Sequence, residues 1–277
     1  MSLTITASGQ ACGATITGIN LCEDLSPDAV AEIRAAWIQH QVLAFPDQPM
    51  DDDDLERFAL KLGQFGEDPF FAPLPGRDHI AQIRREADET TSLFAEAWHS
   101  DWSFLPKPPV GTMLHGRVIP PVGGDTLFSN QYATFEALDS DLQTRLRKLN
   151  AWHSAALGYA PEGSYGDKDK GRSMSIRPSV EARKRTLKPV VHRHPESGRE
   201  ALFVNMGYTV ALDGLDEDEA GPLLGFLFQH QMKPEFLLRQ SWQANQLLLW
   251  DNRCLNHRAT GGYEGHQRIL HRITIAN

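Results

Sequence analysis

Short β-type runs separated by glycine and proline dominate the chain from His79 onward, and this pattern restricts its folds more than any other feature. The runs are His79 to Arg84, Gly111 to Val118, Thr126 to Ser129, Lys188 to Val191, Leu202 to Val210, Phe236 to Trp242, Leu247 to Trp250 and Arg268 to Ile275. Strands this short, with few helices between them, build a sandwich or barrel rather than a parallel α/β sheet. Upstream, Thr4 to Thr6 and Ala14 to Ile19 are also strand-like. Ser26-Pro27-Asp28 supplies an N-cap, a first-turn proline and an acid suited to the helix dipole, so a helix is expected to about Gln41. Val42 to Phe45 reads as a buried strand stopped by Pro46. Asp51 to Asp54 precede the apolar stripe Leu55, Phe58, Ala59 and Leu62. No glycine-centred loop with a closing Glu follows, so these acids read as a helix start rather than a calcium loop. Further helices are expected at about Ala133 to Lys148 and Asp216 to Gln231. The reading is one domain, residues 1–277, mainly β with helices packed around it. Gly158 to Arg185 is rich in Gly, Asp, Lys, Arg and Ser without apolar periodicity, and residues 158–185 are expected to form a lid or mobile loop.

Charge narrows the partners. Lys plus Arg number 27 against 36 Asp plus Glu, a formal net charge of −9, which disfavours nucleic-acid binding. An acidic protein that handles an anion must gather its arginines in one place. The cysteines Cys12, Cys22 and Cys254 lack CxxC spacing and suggest neither a disulfide framework nor a thiolate zinc site. No secretory leader and no run of roughly 18 to 20 apolar residues is visible, so no membrane association and a cytoplasmic setting are expected.

Spacing singles out a few polar residues. In Trp98-His99-Ser100-Asp101-Trp102 the imidazole and carboxylate lie two apart, and in extended backbone such residues project to the same side. Two such groups are half of a site in which two imidazoles and one carboxylate leave positions open for a co-substrate and O2 on non-haem Fe(II). His257, at the end of the strand Leu247 to Trp250 and its following turn, is the candidate third ligand. An H-x-D pair is also a common surface salt bridge or capping pair. His192 and His194 offer a competing imidazole pair, but they run into a turn without a carboxylate. In the last run, alternation places Arg268, Leu270, Arg272 and Thr274 on one face and Ile269, His271, Ile273 and Ile275 on the other. If the arginine face looks inward, two guanidiniums need anionic partners. If it looks outward, they are surface charges on an edge strand.

The ordered set WHSD (98–101), GGDTLF (123–128), LFVN (202–205), WDNRCLNH (250–257) and R-x-x-x-R (268, 272) resembles the Fe(II)- and 2-oxoglutarate-dependent dioxygenases of the taurine dioxygenase and 2,4-D dioxygenase type. The similarity runs from about Ile5 to Ile275. It implies a double-stranded β-helix, or jelly roll. It implies that His99, Asp101 and His257 hold Fe(II), and that Arg268, helped by Thr126, binds the distal carboxylate of 2-oxoglutarate. Arg272 is implied to point toward the primary substrate and bind its acidic group. The activity implied is hydroxylation, or cleavage after hydroxylation, of a small organic anion with release of succinate and CO2. Halogenating relatives lack the carboxylate that Asp101 supplies, so its presence favours hydroxylation. A homodimer or homotetramer is also implied.

Departures from the taurine-specific pattern bear on substrate. Where those members carry His, Tyr and Asn around the sulfonate and amine, the matching positions are Asp68, Phe71 and Ala95. With Phe70, Trp102, Phe104 and Met206, these make an approach more apolar than a small zwitterion requires. An aryloxyalkanoate, an alkyl sulfonate or an N-substituted amino acid is expected. Two rival readings use the same residues: a non-catalytic jelly-roll sensor of small acids, and a zinc-dependent hydrolase.

Overall fold

The computed structural model describes residues 3–276. Strands β1 (Thr4–Ala7) and β2 (Ala14–Thr17) lead into helix α1 (Pro27–His40), strand β3 (Val42–Phe45) and helix α2 (Asp52–Leu62). Strands β4 (Ala81–Arg85), β5 (Gly111–Val118) and β6 (Thr126–Asn130) are followed by helices α3 (Gln131–Glu136) and α4 (Ser140–Leu146), strand β7 (Asn150–Ser154) and helix α5 (Ala156–Tyr159). Then come β8 (Arg185–Pro189), β9 (Val191–Arg193), β10 (Glu200–Leu202), β11 (Thr209–Leu212) and α6 (Glu217–Gln231). The chain closes with β12 (Leu237–Gln240), β13 (Leu247–Asp251), β14 (Leu255–Ala259) and β15 (Arg268–Ile275).

A seven-stranded sheet in the order β1-β2-β3-β13-β5-β15-β4 packs against the three-stranded sheet β12-β6-β14, which is the expected jelly roll. Alternation along β13 explains the arrangement. Leu247 and Leu249 join Trp37, Phe58, Ile273 and Ile275 under α1 and α2, while Leu248 and Trp250 join Phe128, Leu238, Leu255 and Leu270 between the sheets. The run Leu247–Asp251 is buried throughout because its sheet is covered on both faces. The Asp51 start also behaves as expected: Asp51 Oδ1 accepts from the Asp54 amide at 2.8 Å, and Asp54 Oδ2 accepts from the Asp51 amide at 3.2 Å, a capping box.

Several expected elements are divided. The helix expected over Ala133 to Lys148 breaks into α3 and α4 because Asp139 caps a new N-terminus, accepting from the Leu142 amide at 2.8 Å. The strand expected over Leu202 to Val210 breaks where Asn205 Oδ1 accepts from the Tyr208 amide at 2.9 Å, turning the chain. Lys188 to Val191 divides at Val190, which falls between β8 and β9. Residues 158–185 are not structureless throughout: α5 ends inside them, and Val180–Arg183 forms a 3-10 turn. Among the described residues no helix is long and apolar enough to cross a membrane.

Candidate metal centre

The face carrying Arg268 and Arg272 looks inward, and both guanidiniums are buried. β15 pairs with β5 and β4, and the sheet β12-β6-β14 covers its polar face. The expectation that β15 alternates is met, although Ile273 and Ile275 are buried as well, beneath the helices.

His257 lies at the centre of its own strand, β14, rather than at the end of the preceding one, and sits opposite Phe128 of β6. Its backbone pairs with His99: the His99 amide donates to the His257 carbonyl at 3.0 Å, and the return bond is 2.7 Å. Residues that exchange both backbone bonds project side chains to the same face. Asp101 follows two residues later, so three side chains from two distant stretches converge. His99 Nε2 is 3.6 Å and His257 Nε2 3.8 Å from Asp101 Oδ1.

The donor set suits a cation. His99 Nδ1 donates to the Ala97 carbonyl at 2.9 Å, which fixes the ring with Nε2 toward Asp101. Burial above all, with the neighbouring His99, pushes the His257 imidazole down to about 3, so it is neutral at physiological pH. Burial opposes ionisation of Asp101, but Arg272, His257 and His99 hold its carboxyl well below the usual range. Asp101 Oδ2 accepts from Thr112 Oγ1 at 2.7 Å and from Arg272 Nη1 at 3.1 Å, which turns Oδ1 toward the imidazoles. Thr112 is held by Asn252 Nδ2 at 2.9 Å, and Asn252 Oδ1 accepts from Trp250 Nε1 at 2.9 Å. Two imidazole Nε2 atoms and a carboxylate oxygen thus face one point, a donor set that fits a divalent ion.

A cavity extends from this point in two directions. Toward one end lie Thr126 and Arg268. Arg268 is buried and, among the described residues, has no carboxylate partner: Nη2 donates to the Gly124 carbonyl at 3.0 Å, Nε is unsatisfied, and the guanidinium sits 5.7 Å from the rings of both Trp242 and Tyr263. Burial pushes its pKa down. Thr126 Oγ1 accepts from Trp242 Nε1 at 3.0 Å, so its own hydrogen is free to donate. Gly124 has φ +71°, and a Cβ there would stand 3.1 Å from Arg268 Nε, so the GGDTLF turn needs glycine to admit the guanidinium. A dicarboxylic acid fits this end: one carboxylate can meet Arg268 and Thr126 while the other reaches the metal point.

Toward the other end lie Arg272, Phe71, Ala95 and Trp102, together with Phe94, Tyr159 and Tyr208. Trp102 and Ala95 both adopt left-handed backbone, φ +49° and +59°, a strain that clusters at functional sites. Asp68 does not line this cavity. It stands behind the wall, where Oδ1 accepts from Trp102 Nε1 at 2.6 Å and from Arg272 Nε at 3.1 Å. Burial pushes the Asp68 carboxyl up, against the pull of Arg272 and the Trp102 indole. Met206 lines an adjoining outer depression with Tyr165 and Gly207, and Phe70 and Phe104 pack behind Trp102. Arg172 and Glu89 close the rim. Glu89 accepts from the Ser173 amide at 2.9 Å, and Arg172 is paired with Asp169.

Sequence reasoning missed Thr112, Asn252, Trp242, Tyr159 and Tyr208. Asn252 and Trp250 lie inside WDNRCLNH and could have been read as supports; single aromatics such as Tyr159, at the end of a four-residue helix, carry no periodic signal. A second cluster, His194, Asp251 and Cys254, is fully buried. His194 Nδ1 accepts from the Glu196 and Ser197 amides, which places its proton on Nε2, facing Asp251 Oδ2 at 3.0 Å. Arg253 occupies both oxygens of Asp251 at 2.8 and 2.6 Å. No lone pairs converge there, and the cluster ties the end of β13 to the β9–β10 hairpin. His192 packs on Phe203 instead of joining His194.

Residues 4–274 match the family model described as taurine catabolism dioxygenase TauD, TfdA family. The (S)-phenoxypropionate/alpha-ketoglutarate-dioxygenase of Sphingobium herbicidovorans is 30% identical over 271 residues, covering 95% of this chain and 91% of that one. The alpha-ketoglutarate-dependent 2,4-dichlorophenoxyacetate dioxygenase of Cupriavidus pinatubonensis is 32% identical over 280 residues, covering 94% and 93%. Among solved structures, a taurine dioxygenase from Burkholderia xenovorans superposes with a TM-score of 0.82 at 26% identity, covering 100% of this chain and 92% of that one. The enzyme AAD-2, in complex with Mn(II) and N-oxalylglycine, superposes with a TM-score of 0.79 at 26% identity, covering 100% and 98%.

Proposed function

This chain belongs to the TauD, TfdA family and is a 2-oxoglutarate-dependent dioxygenase that uses Fe(II); from that premise we propose which residues hold each reactant and what is oxidised. His99, Asp101 and His257 hold the iron, and Arg268 with Thr126 receives the distal carboxylate of 2-oxoglutarate. The observation that carries this reading is the pairing, within one cavity, of a converging His–Asp–His cluster with a buried guanidinium that meets no carboxylate among the described residues. Bound there, Fe(II) couples oxidative decarboxylation of 2-oxoglutarate, to succinate and CO2, with O2-dependent hydroxylation of a substrate C–H bond. Thr112 and Arg272 orient Asp101 by holding Oδ2, and Ala97 fixes the His99 tautomer. The non-catalytic sensor and the zinc hydrolase find no support among the relatives.

The primary substrate is a small organic anion with an apolar or aromatic body. Phe71, Phe94, Trp102 and Tyr159 supply the apolar wall, and Nη2 of Arg272 is the donor for the acid. An aryloxyalkanoate or an alkyl sulfate or sulfonate fits this wall better than taurine, because no polar trio stands at Asp68, Phe71 and Ala95. The alpha-ketoglutarate-dependent sulfate ester dioxygenase of Pseudomonas putida, 32% identical over 269 residues with 95% of this chain and 86% of that one covered, supports including sulfate esters. Residues 158–185 act as a cover: Arg172 donates to the Ser92 carbonyl at 3.1 Å and Tyr165 accepts from the Ala95 amide at 3.1 Å, tying the segment to the cavity rim. Substrate should slow proteolysis within this segment, and equal nicking with and without substrate would count against the cover.

Anaerobic Fe(II) followed by 2-oxoglutarate should give a visible charge-transfer band. A succinate-release screen over aryloxyalkanoates, alkyl sulfates and alkyl sulfonates should then find substrates that raise O2 consumption above the substrate-free rate. A colourless complex, or turnover that persists without O2, would overturn the assignment of these residues.

A further inference from the structure

Arg272 faces the substrate half of the cavity with two of its five N–H groups already committed to carboxylates. Nε donates to Asp68 Oδ1 and Nη1 to Asp101 Oδ2, each at 3.1 Å, while Nη2 is buried without a partner. An arginine grips a carboxylate or sulfonate best through two adjacent nitrogens. On Arg272 the Nε–Nη2 pair is closed because Nε has given its one hydrogen to Asp68, and Nη1 has spent one of its two hydrogens on Asp101. A substrate acid therefore meets one wholly free nitrogen, and a positive charge shared between two carboxylates.

Asp101 is bound to this arrangement by its place at the metal point; Asp68 is not. It comes from the stretch between α2 and β4, lies outside the cavity wall, and spends a single oxygen on two neighbours, Arg272 and the indole of Trp102. Trp102 sits in left-handed backbone, which a bulky residue keeps only where its surroundings hold it. Both walls of the substrate half thus depend on one carboxylate that the substrate does not touch.

We propose that Asp68 is a specificity-determining positioning residue: by occupying Nε of Arg272 and offsetting its charge, it denies a substrate acid the two-nitrogen grip of Nε and Nη2. The pocket then holds a substrate acid less tightly than an arginine with a free Nε would, and leaves more of the selection to the apolar body. This rests on the reading of Arg272 as the substrate-facing cation.

The test compares wild type with Asp68→Asn, which removes the charge and keeps the shape and an acceptor for Trp102. The anaerobic Fe(II)–2-oxoglutarate complexes are titrated calorimetrically with two probes, 2,4-dichlorophenoxyacetate and its primary amide. The acid should bind Asp68→Asn about tenfold more tightly than wild type, with the amide changing by less than about twofold. In turnover with the acid the gain should fall on KM and leave kcat near wild type. A purely structural role in anchoring Trp102 would move both probes together. An unchanged acid-to-amide ratio, or no binding of the acid to either protein, overturns the proposal. Asp68→Ser, which also removes the charge, repeats the comparison if the Asn variant does not fold, and the same two results decide it. The charge-transfer band seen before any probe is added tests the iron and 2-oxoglutarate reading separately, because the calorimetric ratio can be read whether or not that band forms.

Discussion

Arg268 and Arg272 stand four residues apart on one face of β15, both buried, yet they are provided for in opposite ways. Arg268 touches a carbonyl and two aromatic rings and no carboxylate; Arg272 is gripped by two carboxylates before any ligand arrives. Burying an unpaired charge costs several kcal/mol, so the first end carries strain that a fixed dianion would relieve. The second end carries little. One end of the cavity is built to require its ligand, and the other to stand without one, which suits an obligatory co-substrate beside a more variable primary substrate.

The most severe test removes the group common to both halves. Asp101→Ala takes a carboxylate from the metal point and a partner from Arg272, and turnover should fall by at least about 10³-fold with loss of the charge-transfer band. Succinate release above the metal-free background would break the scheme at its centre.

The two arginines themselves should then behave as opposites. Arg268→Met should raise KM for 2-oxoglutarate by about 10²-fold, the scale of losing a buried charge-assisted contact, while the metal-free protein melts at or above the wild-type temperature. Arg272→Met leaves Asp68 and Asp101 buried and unpaired, which should cost about 3 kcal/mol, a fall of roughly 6 to 9 °C in Tm. Equal melting shifts in the two variants would erase the distinction drawn between the ends.

The inward face of β15 was readable because a strand repeats every two residues, so two arginines four apart must share a side. His99 and Asp101 were readable for the same reason. His257 was assigned to the wrong element, since Asp251 to Cys254 make a tight buried turn and a further strand begins at Leu255. The split at Asn205 was legible in Asn205-Met206-Gly207, an Asn followed two residues later by Gly, and was passed over in favour of one continuous apolar run. The role of Asp68 could not be read at all: its partner lies 204 residues away, and nothing in the local sequence around either residue encodes that pairing. The break at Asp139 was legible as an N-cap and was passed over in favour of one continuous apolar pattern.

Acid should bring the two variants closer together. Burial holds His115 at about 4 and His153 and His257 at about 3, so unfolding takes up protons below about 6.5 and every form of the metal-free protein loses stability as the pH falls from there. The difference between variants is therefore the quantity to follow. In Arg272→Met the Asp68 carboxyl, already pushed up by burial, loses the cation that opposes the rise. A carboxyl raised on folding binds protons more readily in the folded state, so acid stabilises the folded form through that group. The Tm deficit of Arg272→Met relative to wild type should narrow between pH 8 and pH 5, while the difference between Arg268→Met and wild type stays level. A deficit independent of pH would mean that no orphaned carboxylate was created.

Thr126 offers the finest test, because it separates charge from hydrogen bonding at the co-substrate end. Its hydroxyl accepts from Trp242 and keeps a hydrogen for a ligand oxygen, so Thr126→Val, close in shape, removes one neutral donor while Arg268 keeps its place. A hydrogen bond of this kind is worth about 1 kcal/mol, so KM for 2-oxoglutarate should rise by roughly fivefold, and Thr126→Ser should restore most of the loss. The acid-to-amide ratio at the Arg272 end should not move, since Thr126 belongs to the other half of the cavity. If Thr126→Val matches the effect of Arg268→Met, the unpaired guanidinium is not what draws the dicarboxylate. The contrast between the two arginines would then reduce to a difference in hydrogen-bond donors.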